Sequence, residues 1–548
     1  MQSTKAEEKA DAILRRADQM KSDRATLDSH CEEVAARVLP SYTRQFTSQG
    51  QDVTKGDKRT ELMFDSTAAI ALGKFGAVME SLLTPRSSKW SRIVPVDKAL
   101  SRNRQAREWF EAVNDILFAY RNSVRANFSS QKQEGYIQLG AFGTDPIYID
   151  RLAGGIGLRY KSVPLSHMYF SENHQGIIDT AYRRMPMTAR QALQQWGDKV
   201  PEAVKTAAEK TPDKEFIFWH CVQPRTDIEY GRLDHKGMPF ASYYVSVTGK
   251  KLMVEGGYRS FPYAIGRHFV APGEVYGRSP AMTVLPNIKV LNEQKRTLLK
   301  VGHRAVDPVL LAHDDGVLDT FSNRPGAMNY GGVSADGRAL IHAMPVGDPR
   351  IAKDMMQDER LIIKDAFYVT LFEILVEDRR IMTATEVLER TREKGVLLAP
   401  AMGRQQTESL GPMVDREIDL LNQQGLLPPM PPMVAMAVGE YKTEYDSPLS
   451  KMMRAEEATG FLRTAEFALK IANETQDPSA LDWLNIDEAM PEIADINASP
   501  IRWISTPEQV AAKRKGRDDA RATQQLIDAA PAAAGMVKAM GAAPSAAT

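Results

Sequence analysis

Apolar positions recur along this chain with two different periods, and each change of period marks a change of element. Over residues 4–38, Ile13, Leu14, Leu27, Val34 and Val38 stand at helical spacing among charges up to Pro40, which predicts one long polar helix. A polar loop follows over 43–60. Residues 65–83 predict an apolar helix closed by Thr84-Pro85, whose Ala68, Ala69, Ala71, Gly73, Gly76 and Ala77 permit close packing. Trp109, Phe110, Ile116 and Phe118 mark an amphipathic helix over 102–125. From 144 to 270 the texture turns to short β-type runs, such as 146–149, 243–247 and 251–254, broken by Gly, Pro and Asn. A helix near 188–196, capped by Thr188, interrupts them.

The pattern changes again at Ser279-Pro280, an N-cap followed by a proline that suits a first turn, opening a helix over 279–303. Pro286 inside it implies a kink or a second start. Residues 304–350 are Gly-rich and β-type, and a second long helix is predicted over 351–376. The charged break Glu377-Asp378-Arg379-Arg380 precedes a further long helix to Gln424 and a Pro-rich linker over 427–433. Residues 447–527 are helical and charged, with a capping box at Thr506-Pro507-Glu508-Gln509, and 528–548 is an Ala-rich tail expected to be mobile.

Composition narrows the function. The 548 residues suggest three or four folding units, and 70 Lys+Arg against 70 Asp+Glu leave no net charge. That excludes a globally basic nucleic-acid binder and an acidic solvating chain, so any functional charge must be segregated within the chain. The apolar runs fall short of the ~18 residues that span a membrane, and the charged N-terminus lacks the apolar centre of a signal peptide. Cys31 and Cys221 supply neither a disulfide framework nor a zinc spacing, which fits a reducing cytosol. The phosphate-cradling GxxxxGK[ST] loop, HExxH, CxxC and GxSxG are all absent. His167 and His174 are poorly spaced as ligands, and Gly154-Gly155-Ile156-Gly157 runs into a strand, so it reads as a hairpin turn. No metal, no cofactor and no catalytic residue is expected. Carboxylates such as Asp307, Asp314 and Asp315 leave a nucleic-acid enzyme as the alternative, although Asp314-Asp315-Gly316 is more simply a turn.

The order of elements and a series of short words carry a resemblance. The words are Gly140-Ala-Phe-Gly-Thr144, Ile178-Asp-Thr-Ala-Tyr-Arg-Arg184 leading to Met187-Thr-Ala-Arg-Gln191, and Phe261-Pro-Tyr263. Further on come Pro272-Gly-Glu-Val-Tyr-Gly-Arg-Ser-Pro-Ala-Met282, Met382-Thr-Ala-Thr-Glu-Val387, and Gly403-Arg404 with Glu408 and Leu410-Gly-Pro412. The chain resembles the head-to-tail connector (portal) family of short-tailed bacteriophages over roughly residues 60–510. The resemblance implies an α+β portal fold assembled as a ring, generally a dodecamer, at the capsid vertex of the virion after assembly in the host cytoplasm. Double-stranded DNA would be packaged and ejected through its channel. Partners would be other copies of the chain, the terminase large subunit, major capsid and scaffold proteins and the tail adaptor, with no membrane. By the same analogy 1–278 is the wing, 279–303 the first stem helix, 304–350 the clip and 351–376 the second stem helix. Residues 377–383 would be the channel loop, 384–446 the return to the wing, 447–527 the crown and 528–548 the tail. A tail adaptor or scaffold is the other structural reading.

At about 100° per residue, Lys289, Arg296, Lys300 and Arg304 share one sector of the first stem helix. On the second, Asp354, Asp358 and Asp365 share a face opposite Met356, Ile363, Phe367 and Ile374. Such stripes could pair within or between subunits, or one could line the channel. Because DNA carries about one charge per 1.7 Å of axis, a continuous basic lining would grip it, so the acidic stripe is the candidate lumen face. The channel-loop residues Glu377, Asp378, Arg379 and Arg380 would repeat around the axis.

Overall fold

The computed structural model describes residues 2–48, 56–86, 88–97, 100, 103–312, parts of 322–345, 349–370, 400, 402–436, 441–445, 448–475, 477–496, 505, 509–521 and 523. It is mixed helix and sheet, as the α+β expectation requires, and divides into units 1–449 and 450–548.

The long N-terminal helix forms as two, α1 (Gln2–Asp23) and α2 (Ala25–Val38). Arg24 at the break turns its guanidinium inward, donating to the carbonyls of Leu165 (2.9 Å) and Met168 (2.5 Å) and pairing with Asp28. Then come α3 (Thr67–Leu83), β1 (Ser91–Pro95), α4 (Arg104–Arg121), α5 (Phe128–Phe142), β2 (Thr144–Arg151) and β3 (Leu158–Ser162). The Gly154–Gly157 run lies between β2 and β3, which pair antiparallel as the hairpin reading requires. β4 (Met168–Glu172), β5 (Ile178–Thr188), β6 (Glu215–Pro224), β7 (Phe240–Ser246) and β8 (Lys251–Tyr258) form an antiparallel sheet in chain order. Ala10, Ile13, Ala17 and Met20 of α1 cover one face of it, on Tyr169, Trp219, Tyr243 and Val245. The other face packs on α6 (Ala189–Trp196), which starts in the capping box of Thr188 and Gln191, and on α7 (Glu202–Lys210). The sequence reading placed only one helix there. β9 (Tyr263–Arg267) joins β2, making a three-stranded sheet β3-β2-β9.

Ser279-Pro280 opens a short helix, α8 (Pro280–Thr283), and Pro286 marks a second start in α9 (Leu285–Val306). β10 (Leu310–Ala312) and β11 (Ile341–Ala343) form a two-stranded hairpin before α10 (Pro349–Ala366). The chain returns as helix at 402–405, passes through a π-helical segment, Gln406–Leu410, and continues as α11 (Gly411–Gln423). α12 (Pro432–Met436) leads to β12 (Tyr441–Tyr445), which pairs with β1. The second unit is helical, with α13 (Pro448–Thr475) beginning at the boundary, α14 (Ile486–Ile496), and residues 509–521. The Ala-rich tail over 528–548 and residues 506–508 of the predicted capping box lie outside the described residues.

Buried charge ties α11 to the core. Glu417 is fully buried and accepts from Arg121 Nε (3.1 Å), Arg121 Nη2 (2.5 Å) and the Tyr160 hydroxyl (2.7 Å), while Arg121 lies 4.3 Å from the Trp90 ring. Removing one partner of a buried pair strands the other in low dielectric. Glu417→Leu should therefore cost about 3–5 kcal/mol in urea unfolding of the full chain, and Arg121→Met/Glu417→Leu should recover most of that loss. Equal losses for the single and double variants would mean that packing volume, not charge, sets the cost.

Candidate functional site

The sequence places its candidate functional charges on the helical hairpin α9–α10, so the geometry of that hairpin decides what they can do. Its launch point is a tight joint. The Gly277 amide donates to Thr144 Oγ1 (3.1 Å), and a Cβ on Gly277 would lie 1.9 Å from the Gly143 carbonyl oxygen. Gly143 itself has φ 77°, the left-handed region that suits a residue without Cβ. Ser279 Oγ accepts from the Met282 amide (3.0 Å) and donates to the Ala141 carbonyl (2.8 Å), so the cap also fixes the helix to the end of α5.

Only the first part of α9 is rooted. Leu285, Ile288, Leu291 and Asn292 are buried. The Asn292 Oδ1 accepts from the amides of Phe64 (2.7 Å) and Asp65 (3.0 Å). Met356 and Ile363 of α10 and Phe367 just past its end are buried, and Asp354, Asp358 and Asp365 are exposed. Their packing partner belongs to the same subunit: Phe367 meets the Phe75 ring of α3 edge-on at 6.2 Å. Arg360 donates to Asp65 (2.7 Å). Burial works to raise the Asp65 carboxyl, but hydrogen bonds from Thr67 and Arg360 outweigh it and hold the group below its usual range.

α10 breaks after Ala366, helix resumes at 369–370, and 371–376 of the predicted helix lie outside the described residues. Tyr368 takes φ 59°, its ring stacks on Phe75 at 6.1 Å, and its hydroxyl lies 3.5 Å from His268 Nε2. Burial drives the His268 pKa down to about 4, so that imidazole is neutral. Ile374 and the whole Glu377-Asp378-Arg379-Arg380 break lie outside the described residues.

The two charge stripes do not meet. Lys289 is taken by Glu33 of α2, a hydrogen bond that lowers the Glu33 pKa. Arg296 pairs with Glu293 of its own helix (3.5 Å) and lies 5.8 Å from the Phe64 ring. Lys300 and Arg304 are exposed, and among the described residues no ion pair links either stripe to the other. The reason is axial offset. Asn287 Nδ2 donates to Glu359 (2.9 Å) and Leu310 stands opposite Ala343, so the two arms run antiparallel and Asp354 is level with about position 292 of α9. At 1.5 Å per residue, Lys300 stands about 12 Å farther out along the hairpin. The acidic residues therefore occupy the rooted half and the outer basic residues the distal half.

Below the hairpin, the returning helix carries functional-looking charge that periodicity did not single out. Glu408, in the π-helical segment, accepts from Arg267 Nε (2.8 Å) and Nη2 (2.9 Å). Lys132, fully buried, pairs with Asp145 and donates to Ser409 Oγ (2.9 Å). The words Gly403-Arg404, Glu408 and Leu410-Gly-Pro412 fall on this segment, so its composition was visible although its role was not. Of the alternative carboxylates, Asp307 is exposed just past α9, and Asp314 and Asp315 lie outside the described residues. Among the described residues no group of His, Cys, Asp and Glu is arranged to hold a metal ion, and no helix is long and apolar enough to cross a membrane.

Comparison with known proteins gives one answer over nearly the full length. The family described as bacteriophage head to tail connecting protein matches residues 10–504. The chain is 27% identical over 539 residues to the portal protein of Salmonella phage epsilon15, covering 97% of this chain and 95% of that one. It is 28% identical over 525 residues to the probable portal protein of Bordetella phage BPP-1, covering 94% and 92%.

The packing of α10 on α3 sets a measurable cost. Phe367→Ala removes a fully buried ring and should destabilise the first unit by ~3–5 kcal/mol in chemical denaturation. A loss below about 1 kcal/mol would mean that Phe75 and Tyr368 close the space.

Proposed function

The chain belongs to the bacteriophage head-to-tail connecting protein family, and from that premise we propose that it is a portal: a ring at the capsid vertex through which double-stranded DNA is packaged and ejected. The observation that carries the reading is the match over residues 10–504, with almost the whole length of two phage portal proteins covered. It is a structural, non-enzymatic role. The ring docks the terminase motor during packaging and the tail adaptor afterwards, and it sits among capsid and scaffold proteins.

In this reading residues 1–278 are the wing, 279–303 and 351–376 the stem, 304–350 the clip and 377–383 the channel loop. Residues 384–446 return to the wing, 447–527 make the crown and 528–548 the tail. The stem assignment is supported by a helical hairpin rooted in the core at one end. Val290, Leu299, Met355, Leu361 and Ile362 are each 45–53% exposed on it, apolar surface that suits neighbouring copies in a dodecamer. The exposed aspartates of α10 suit a lumen in which DNA must slide, because like charge repels the phosphates. Arg379 and Arg380, repeated around the axis, would supply isolated phosphate contacts, with Glu377 and Asp378 limiting their grip.

Mass photometry of the purified full chain tests assembly: rings are expected, and monomer at every salt concentration and protein concentration would overturn the reading. Arg379→Ala/Arg380→Ala should assemble like the parent, since exposed charges contribute little to stability, yet lose DNA packaging or retention of the packaged genome. Wild-type packaging and retention by that variant would remove the loop from the mechanism.

A further inference from the structure

The buried arginines of the core meet acids or backbone carbonyls, with two exceptions that stand side by side on β5. Arg24, Arg121, Arg225, Arg267 and Arg416 all have such partners. Arg183 and Arg184 are only 7% and 4% exposed, yet among the described residues neither forms an ion pair or donates to a carbonyl. Arg183 lies 5.3 Å from the Tyr148 ring and beside the Tyr263 hydroxyl. Arg184 has a single side-chain hydrogen bond, from Nη1 to His167 Nε2 at 3.5 Å.

That partner cannot balance the charge. Burial, with Arg184, Arg183, Arg24 and Lys161 around it, drives the His167 pKa down to about 3, so the imidazole is neutral. Burial also lowers the pKa of Arg184, and Tyr169 and Glu215 offset this only in part. The Arg184 nitrogens that lack a protein partner are not sealed from solvent, so an oxyanion could reach them and accept two N–H groups, supplying the counter-charge that the core does not.

The sheet narrows at this point. β4 begins at Met168, opposite Arg183, so from Arg184 to Thr188 β5 is paired only with β6. His167 ends the 3-10 turn Leu165–His167 at this corner, and Lys161 of β3 adds its charge near His167 and Arg183. We propose that this notch binds an oxyanion, with Arg184 as the anchoring donor and Arg183 and Lys161 supplying the surrounding positive field. A phosphate group and the carboxylate of another copy of the chain share that chemistry. The proposal stands independently of the portal reading, because it needs only the isolated subunit.

The test is thermal unfolding of the full chain, held monomeric by dilution, in sodium phosphate against sodium chloride at matched ionic strength. Wild type should gain a saturable rise of about 1–3 °C in phosphate. Arg184→Gln should lose the phosphate-specific rise, and Arg184→Lys should keep part of it. In chloride Arg184→Gln should be no less stable than wild type, since it removes an unpaired buried charge. Should that variant fail to fold, Lys161→Gln, which changes an exposed residue, should weaken the phosphate effect instead. No phosphate-specific rise in wild type, or an equal rise in wild type and the variants, overturns the proposal. The assembled form separates the two sources: a rise retained there assigns the notch to a free anion, and a rise present only in the monomer assigns it to the carboxylate of another copy.

Discussion

Apolar packing alone would let the returning helix slide in register, and buried charge is what prevents it. Glu408 engages Arg267, Ser409 engages Lys132, and Glu417 engages Arg121 and Tyr160. Arg416 adds a contact to Ser260 Oγ (3.1 Å). Each of these bonds has one workable geometry, and each sealed group left without its partner would be costly. The π-helical turn at Gln406–Leu410 follows from the same demand. Widening the helix by one residue lets Gln405, whose Nε2 donates to the Arg267 carbonyl (2.9 Å), and Glu408 face β9 together while Ser409 reaches α5. The returning helix is thus fixed to the core at one position.

The departure is as constrained as the return, by contact distance instead of charge. α3 and α5 approach so closely that a Cβ on Gly76 would sit 3.1 Å from Ile137, and one on Gly140 would sit 2.7 Å from Leu72 and Phe75. That places Phe75 where it can receive both Phe367 and Tyr368. The Gly143–Gly277 crossing and the Ser279 cap then set the direction of α8 and α9 from the end of the same α5. Both arms of the hairpin therefore take their bearing from one helix pair.

Much of this was legible in the residues. The caps at Thr188 and Ser279, the restart at Pro286 and the division of residues 354–367 into buried Met356, Ile363 and Phe367 and exposed aspartates all follow from local chemistry. What was missed shares a cause. α5 has buried residues nearly all round, including Lys132, Gln138 and Gly140, so it shows no amphipathic period. β1 is completed by β12 from the far end of the unit and, on its other edge, by the Asn114 side chain, which accepts from the Ile93 amide (2.7 Å) and donates to its carbonyl (3.0 Å). The break in α10 at Phe367 and Tyr368, where both rings meet Phe75, is a tertiary preference invisible to helical spacing. Arg121, Lys132 and Glu417 read as surface charges until their partners, supplied by distant elements, are known.

The offset of the two stripes has a consequence that depends only on symmetry. In a closed ring, copies are related by rotation about the axis, and rotation leaves each residue at its own height. Where the hairpin runs along that axis, Lys300 of any copy stands about 12 Å from the level of Asp354 in every copy, its own or a neighbour's. Rotation cannot bring the outer basic residues to the inner acidic ones, so inter-subunit pairing offers them no more than intra-subunit pairing does. Lys289, the basic residue that does lie level with the aspartates, is already engaged by Glu33. Within the two stripes, the exposed aspartates stand near the rooted end of the hairpin and Lys300 and Arg304 toward its tip. A polyanion passing along such an axis would meet attraction and repulsion in succession, an arrangement suited to passage because no stretch of it offers a continuous grip.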